Sequence, residues 1–397
     1  MKPMPGDMHK HPGWLSAVGK SENFRRCLLV AASLIFTWTL IEFPAMINLV
    51  DYEFLESSGV FGDLRFHRVP DPELTHLEPP HAHYRGSSAM GGSFEGLYEI
   101  PPSAAGVYRW DLKYDRNGFR NDTDLEAADL AVVGDSMAEG MTVSSTEVVT
   151  SVLQRLQGKA VANLGQFGFG PQQELIVLER YALALRPKTI IWMFSEGTDL
   201  QDAIRYRQVA AHPPTRWNFF LQRSFTRLAV RQLLRLLGPG KPPGVKWSGL
   251  VPTSGGAVVQ EYFGTVTQGP VETDQTAIDE TVSTVARAQQ LASAHGAVLI
   301  FVFIPDKFRV FRDFCQYPPE SECRNWALND LPQRLQKALR AVCPGIGYLD
   351  LTPSLIQGMK DGALSYYPDD VHWTPDGHRI AAAAIHRYLV AAESGDR

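Results

Sequence analysis

The residues with the most chemistry to offer are a serine, a histidine and two aspartates lying far apart in the chain. Ser136 stands in Gly134-Asp135-Ser136, directly after the apolar run Leu130 to Val133. Asp369, Asp370 and His372 stand together in the segment Tyr366 to His378, YYPDDVHWTPDGH. A serine hydroxyl is a poor nucleophile at its own pKa and needs an adjacent base. His372 is the natural base, and its imidazole in turn needs a carboxylate that fixes the tautomer and stabilises the charged form. Asp369, three residues earlier, is expected in that role, with Asp370 as the fallback. The backbone N–H groups of Ser136 and Gly168 are expected to face the oxyanion that attack on a carbonyl creates. Singly, Ser136 and Asp369 also read as helix caps and His372 as a satisfied loop histidine. Only their conjunction points to acyl transfer through a covalent acyl-serine.

That conjunction requires a scaffold that brings distant loops to one place. Leu130 to Val133 reads as a strand buried on both faces. From Ser144 the pattern Ser-x-x-Glu (Ser144, Glu147) predicts an amphipathic helix to about Leu156. Ala160 to Leu164 is a second strand, ending in the glycine-rich turn Asn163 to Pro171, and a helix follows over 172–185. Lys188 to Phe194 is a third strand with the exit loop Ser195-Glu196-Gly197-Thr198-Asp199. A helix over 276–295, a strand over 298–303, a helix over 332–342 and a strand over 346–351 complete the alternation. Strand and helix alternating in this way predict a mainly parallel sheet covered on both faces. In such a sheet the loops at the carboxyl ends of the strands converge on one crevice. His212, His295 and His378 are given no catalytic role, and Trp373 is read as packing.

At these loops the chain resembles the SGNH branch of the GDSL esterase/lipase superfamily. The blocks that carry the resemblance are Gly134-Asp135-Ser136, Asn163-x-x-x-x-Gly168, Gly197-Thr198-Asp199 and Asp369-x-x-His372, in that order. It covers roughly Tyr114 to the C-terminus. The resemblance implies a flavodoxin-like three-layer α/β/α sandwich with a five-stranded sheet, and acyl-ester chemistry. It also implies Ser136 as nucleophile, His372 as base, Asp369 as orienting acid, and Ser136 and Gly168 as oxyanion donors. The third block usually carries an asparagine as a further oxyanion donor. Here Thr198 stands in its place, and loss of one such donor typically costs about 10²–10³ in turnover. Three functions therefore stay open: a serine esterase for short acyl groups such as acetyl, an O-acyltransferase modifying a cell-surface polysaccharide, and a catalytically weakened glycan-binding or assembly module.

Composition frames this reading. A chain of 397 residues, 44% hydrophobic, 20% charged and with a formal net charge of −5, is ordinary for a globular protein and points to no nucleic-acid role. Residues 27–50 form an apolar stretch with Glu42 as its only charge, preceded by Lys20, Arg25 and Arg26. A signal anchor is expected, ahead of a cleaved signal peptide and a buried core helix. The basic flank would keep residues 1–26 in the cytoplasm of a bacterial cell and place the remainder outside the inner membrane. Residues 51–125 are expected to form an extended connector packing on the hydrolase domain, 126–397, which carries a basic helical insertion over 203–272. Between Ala203 and Gln260 there is no acidic residue. Arg223, Arg227, Arg231 and Arg235 recur every fourth position on an amphipathic helix. That helix reads either as a solvated insertion whose arginines pair with the domain, or as a surface for anionic lipid or a polyanionic glycan. No cofactor or metal is expected, since no Cys-x-x-Cys or His-rich spacing occurs. Cys315 and Cys323 bracket a short loop and are candidates for a disulfide, with Cys343 a competitor or a buried thiol.

Overall fold

The structure is a computed structural model describing residues 22–47, 49–50, 52, 69–88, 94, 98–101, 108–211, 216–238, 240, 242–253, 256–264 and 275–394. The expected tail before residue 22, much of the connector and the end of the insertion thus lie outside the described residues. The chain divides into two compact units, one of residues 1–55 and 214–238, the other of residues 56–213 and 239–397.

The larger unit is built on five parallel strands: β1 (Leu130–Gly134), β2 (Val161–Gly165), β3 (Thr189–Ser195), β4 (Val298–Ile304) and β5 (Gly347–Asp350). Their spatial order is β5-β4-β3-β1-β2, the doubly wound order that reverses beside β1. In-register pairs such as Val132 with Ile191 and Ile191 with Ile300 keep the three central strands level.

Strand side chains alternate between two faces, and each face has its own core. Leu130, Val132, Ile191, Met193, Ile300 and Val302 pack with Val149, Leu153, Leu355, Ile380 and Ile385, so helices Val149–Gln157, Thr352–Lys360 and Pro375–Ser394 cover that side. Ala131, Val133, Trp192, Phe194, Phe301 and Phe303 pack with Val177, Ile278, Val282 and Leu335, which puts helices Pro171–Val177, Gln275–Ala294 and Leu331–Val342 on the other. The result is the three-layer α/β/α sandwich that the blocks implied. Runs such as VLIFVFI in β4 are apolar throughout because both faces are buried.

Local details differ from the sequence expectation in several places. The helix expected from Ser144 begins at Val149, and Glu147 accepts the Ser144 N–H (3.2 Å) in a turn that precedes it. Its cap comes from far away: the Val149 N–H donates to Nδ1 of the buried His378 at 3.2 Å. The helix expected over 172–185 is α-helical only to Val177, then widens to a π turn over Leu178–Ala182 and tightens to a 3-10 turn. The connector is not wholly extended, because His83–Ser88 pairs antiparallel with Tyr108–Lys113. A second antiparallel pair, Ser248–Pro252 with Val258–Tyr262, lies within the expected helical insertion. None of the four cysteines is bonded to another.

In the smaller unit the helix Glu22–Met46 is long and apolar enough to cross a membrane. Helices Arg216–Arg223 and Phe225–Leu237 belong to the same unit. Arg205 and Arg207, by contrast, belong to the larger unit and pair with Asp202 and Glu280, each at 2.8 Å.

Candidate active site

β1 ends at Gly134 and the chain turns at once into the single helical turn Ser136–Glu139. Asp135 caps that turn: its Oδ1 accepts the Met137 N–H at 2.9 Å. The cap lifts Ser136 to the carboxyl edge of the sheet, where it is 6% exposed. β2 lies close alongside, and a Cβ at Gly165 would come within 2.4 Å of the Glu139 nitrogen, so only glycine fits there. The Asn163 side chain is spent on scaffolding, donating to the Ala138 carbonyl (2.8 Å) and accepting the Gly165 N–H (2.9 Å).

The histidine expected as base arrives from the loop before the last helix. His372 Nε2 lies 2.8 Å from Ser136 Oγ, and Nδ1 lies 2.5 Å from Oδ1 of Asp370. Asp370, the fallback, therefore holds the position expected of Asp369. The cause is a turn that residue spacing alone does not reveal. Asp370 Oδ1 also accepts the His372 backbone N–H at 2.8 Å, the two-residue reach of an Asx turn. The Tyr367 N–H donates to the His372 carbonyl at 3.1 Å and closes the loop. One carboxylate oxygen thus faces the backbone and the ring of the same histidine. Asp369 is fully buried elsewhere, where its charge acts on Tyr262 and Glu261.

Burial alone would lower the His372 pKa, but the charge and hydrogen bond of Asp370 outweigh it and leave the pKa raised. Nδ1–H donates to the carboxylate, so Nε2 is the atom free to take a proton from Ser136. The arrangement supplies hydroxyl, imidazole and carboxylate in hydrogen-bonded succession.

The expected oxyanion donors divide. Ser136 and Gly168 both line a cavity of about 350 Å³ at the strand ends. Their backbone N–H groups make no hydrogen bond among the described residues. Gly168 has φ +72°, a left-handed conformation that favours glycine although a Cβ there would meet nothing. Thr198 also lines the cavity, but its hydroxyl donates to Asp135 Oδ2 at 2.7 Å. The side-chain proton that would serve an oxyanion is committed to that carboxylate, which corrects the expected role of Thr198. Asp199 turns inward instead and accepts the Ser195 N–H at 2.9 Å.

Three further residues escaped the sequence reading. Glu139 Oε2 accepts the Phe167 N–H (2.7 Å) and Oε1 accepts the Tyr114 hydroxyl (2.7 Å), fixing the turn that presents Gly168. Lys307, 2% exposed, donates to the carbonyls of Tyr367 (2.7 Å) and Pro368 (2.8 Å) and pairs with the buried Glu261 at 2.9 Å. Its ammonium also lies 5.6 Å from the Phe94 and Phe263 ring centres. It thereby clamps the loop that delivers Asp370 and His372. Arg309 grips Glu196 through two hydrogen bonds and steadies the exit of β3. Ser136-x-x-Glu139 is the only one of these with a local spacing; Lys307 and Arg309 meet partners distant in sequence.

Among the described residues no group of His, Cys, Asp or Glu is arranged to hold a metal ion. Residues 263–396 match a family model described as an SGNH hydrolase-like domain of acetyltransferase AlgX. That stretch contains Asp370 and His372 and leaves Ser136 outside. No curated protein matches the chain. Among solved structures, a GDSL-like lipase from Bacteroides thetaiotaomicron is 15% identical, with 66% of this chain and 88% of that chain covered and a TM-score of 0.33. A catalytic mutant of an acetylxylan esterase from Geobacillus stearothermophilus is 12% identical, with 67% and 95% covered and a TM-score of 0.35. The C-terminal third of the chain thus matches an SGNH hydrolase-like domain, on a sheet wound in the order described.

Proposed function

We propose that this protein is a serine esterase of the SGNH type acting on short acyl esters, acetyl foremost, through Ser136, His372 and Asp370. The observation that carries the reading is the 2.8 Å approach of His372 Nε2 to Ser136 Oγ, with Asp370 on the far ring nitrogen. Ser136 Oγ attacks the acyl carbonyl as His372 Nε2 takes its proton. Asp370 stabilises the imidazolium without taking the proton itself. The oxyanion that forms is met by the N–H groups of Ser136 and Gly168. His372 then gives its proton to the departing alkoxide, leaving an acyl-serine. Water, deprotonated in turn by His372, resolves that intermediate to a carboxylic acid and free Ser136.

A second reading replaces water by a sugar hydroxyl, which makes the protein an O-acyltransferase acting on a cell-surface polysaccharide. The description of the family matched by residues 263–396, an acetyltransferase, favours it. A short apolar anchor with a basic flank suits a bacterial inner-membrane protein whose catalytic domain faces the periplasm, where such polysaccharides are exported. Acetylated glycan or acyl ester is the expected substrate, and no nucleic acid is expected to bind.

Incubating the protein with a serine-reactive fluorophosphonate and then with a chromogenic acetyl ester tests the common core of both readings. Labelling and turnover that vanish in Ser136→Ala are expected. Absence of both in the native protein would leave the glycan-binding module as the surviving alternative. Acetyl delivered to an oligosaccharide faster than to water selects the transferase.

A further inference from the structure

The smaller unit contains a buried carboxylate with several donors gathered on one of its oxygens. Glu42, the only acidic residue within the apolar stretch 27–50, is fully buried. Its Oε1 accepts the Ser224 hydroxyl at 2.9 Å, the Thr226 N–H at 2.7 Å and the Thr226 hydroxyl. One helical turn earlier, the Trp38 indole N–H donates to Thr226 Oγ1 at 2.7 Å. The Tyr52 hydroxyl donates to the Ile41 carbonyl at 2.7 Å, and the Tyr52 ring meets Phe225 edge-on at 5.5 Å. Ser224 is the N-cap of helix Phe225–Leu237, so Glu42 sits at the positive end of that helix. A carboxylate at the end of an apolar helix, costly in hydrocarbon, is here held by donors from a second helix.

That second helix is two-sided. At 100° per residue, Arg227, Arg231 and Arg235 fall on one stripe, while Phe225, Leu233, Leu236 and Leu237 share the opposite arc. The apolar arc faces outward: Leu233, Leu236 and Leu237 are 54%, 82% and 76% exposed. The N-terminal helix is equally bare, with Leu29 71% and Phe36 65% exposed. Apolar surface of this extent marks contact with a membrane or another apolar surface. The 25 residues of the N-terminal helix span about 37 Å at ~1.5 Å per residue, enough for a bilayer core. Two helices joined at one junction thus present the apolar surfaces of a crossing helix and an interfacial one.

We propose that helix 225–237 lies in the headgroup region of an anionic phospholipid bilayer, leucines toward the acyl chains and arginines toward lipid phosphate. Glu42 latches it to the membrane-crossing helix. The latch draws on Trp38, Ile41, Glu42 and Tyr52, so the N-terminal segment is kept in the working protein as a permanent anchor. The arginine stripe supplies charge complementarity to the lipid, and the latch fixes the depth at which the helix enters.

The test uses the full chain carrying Cys27→Ser, reconstituted in phosphatidylcholine nanodiscs with and without phosphatidylglycerol. An environment-sensitive fluorophore is attached at Leu236→Cys or at Arg227→Cys, and lipids carrying spin labels at different depths serve as quenchers. In anionic discs the Leu236 position should be quenched several-fold more than the Arg227 position. Removing phosphatidylglycerol, or substituting Arg231→Gln and Arg235→Gln together, should reduce that quenching at least twofold. Glu42→Ala should also release the Leu236 position while leaving turnover of a soluble acetyl ester unchanged, and Glu42→Gln should release it less. A Leu236 fluorophore that reports water overturns the proposal. So does one that is shielded but untouched by every lipid quencher, since a second copy or another protein would then cover the face. Quenching indifferent to phosphatidylglycerol and to the arginines overturns the anionic-lipid assignment.

Discussion

Two hydroxyls end two neighbouring strands of this sheet, and they are put to different uses. Ser136 follows β1 and faces the unprotonated nitrogen of His372; Thr198 follows β3 and faces a carboxylate oxygen of Asp135. Each hydroxyl has one proton to donate, so the acceptor opposite decides what the oxygen can do. An imidazole nitrogen can take the proton outright and release a nucleophile. A carboxylate whose other oxygen is tied to the Met137 N–H holds the hydroxyl as a strut. The difference teaches that position at a strand end selects candidates, while the partner's chemistry assigns the work.

The largest effect is expected at Ser136. Replacing it with alanine should lower acetyl-ester turnover by about 10⁴-fold or more and abolish fluorophosphonate labelling, as loss of a nucleophile does. Asp370 comes next. Asp370→Asn should reduce kcat by about 10²–10⁴-fold, whereas Asp369→Asn should cost less than about tenfold. Similar losses from both would mean that the loop rearranges when substrate binds. A pH profile sharpens this pair. His372 must be neutral to act as base, so activity should fall as pH drops through its raised pKa, with an acid limb above the ordinary histidine value. Asp370→Asn removes the main cause of the rise and should move that limb to lower pH.

Lys307→Met should destabilise the fold by about 3 kcal/mol in denaturant titration, because Glu261 and two loop carbonyls lose a buried partner. The smallest effect is expected at Thr198. If its hydroxyl is only a strut, Thr198→Val should lower turnover by less than about tenfold, well short of the ~10²–10³ of a lost oxyanion donor. A larger loss, with kcat falling and KM unchanged, would return Thr198 to the oxyanion site.

How much of the site could be read in advance depended on how local its causes were. Ser136 and Gly168 follow from features a few residues long: an apolar run ending in a turn, and a glycine-rich turn with a left-handed position. His372 was accessible because few histidines stand near a strand or helix end beside carboxylates. Glu139 and Lys307 were missed because their partners, Phe167 and the Tyr367–Pro368 carbonyls, are brought to them only by the folded chain. The antiparallel pairs of residues 83–113 and 248–262 were missed for the same reason, since short strands without strict alternation take their pairing from context.

The sequence by itself determined the layered architecture. Apolar runs of strand length, separated by segments with helical periodicity, can bury both faces of a sheet in few other ways, and such a sheet must gather its exit loops at one edge. The tertiary structure alone decided between Asp369 and Asp370, turned Thr198 away from the oxyanion position and joined Glu42 to a helix nearly half the chain distant. Each of those outcomes rests on where a side chain points to within an ångström or two. That is set by packing and by competition among buried hydrogen-bond partners, which no local spacing encodes.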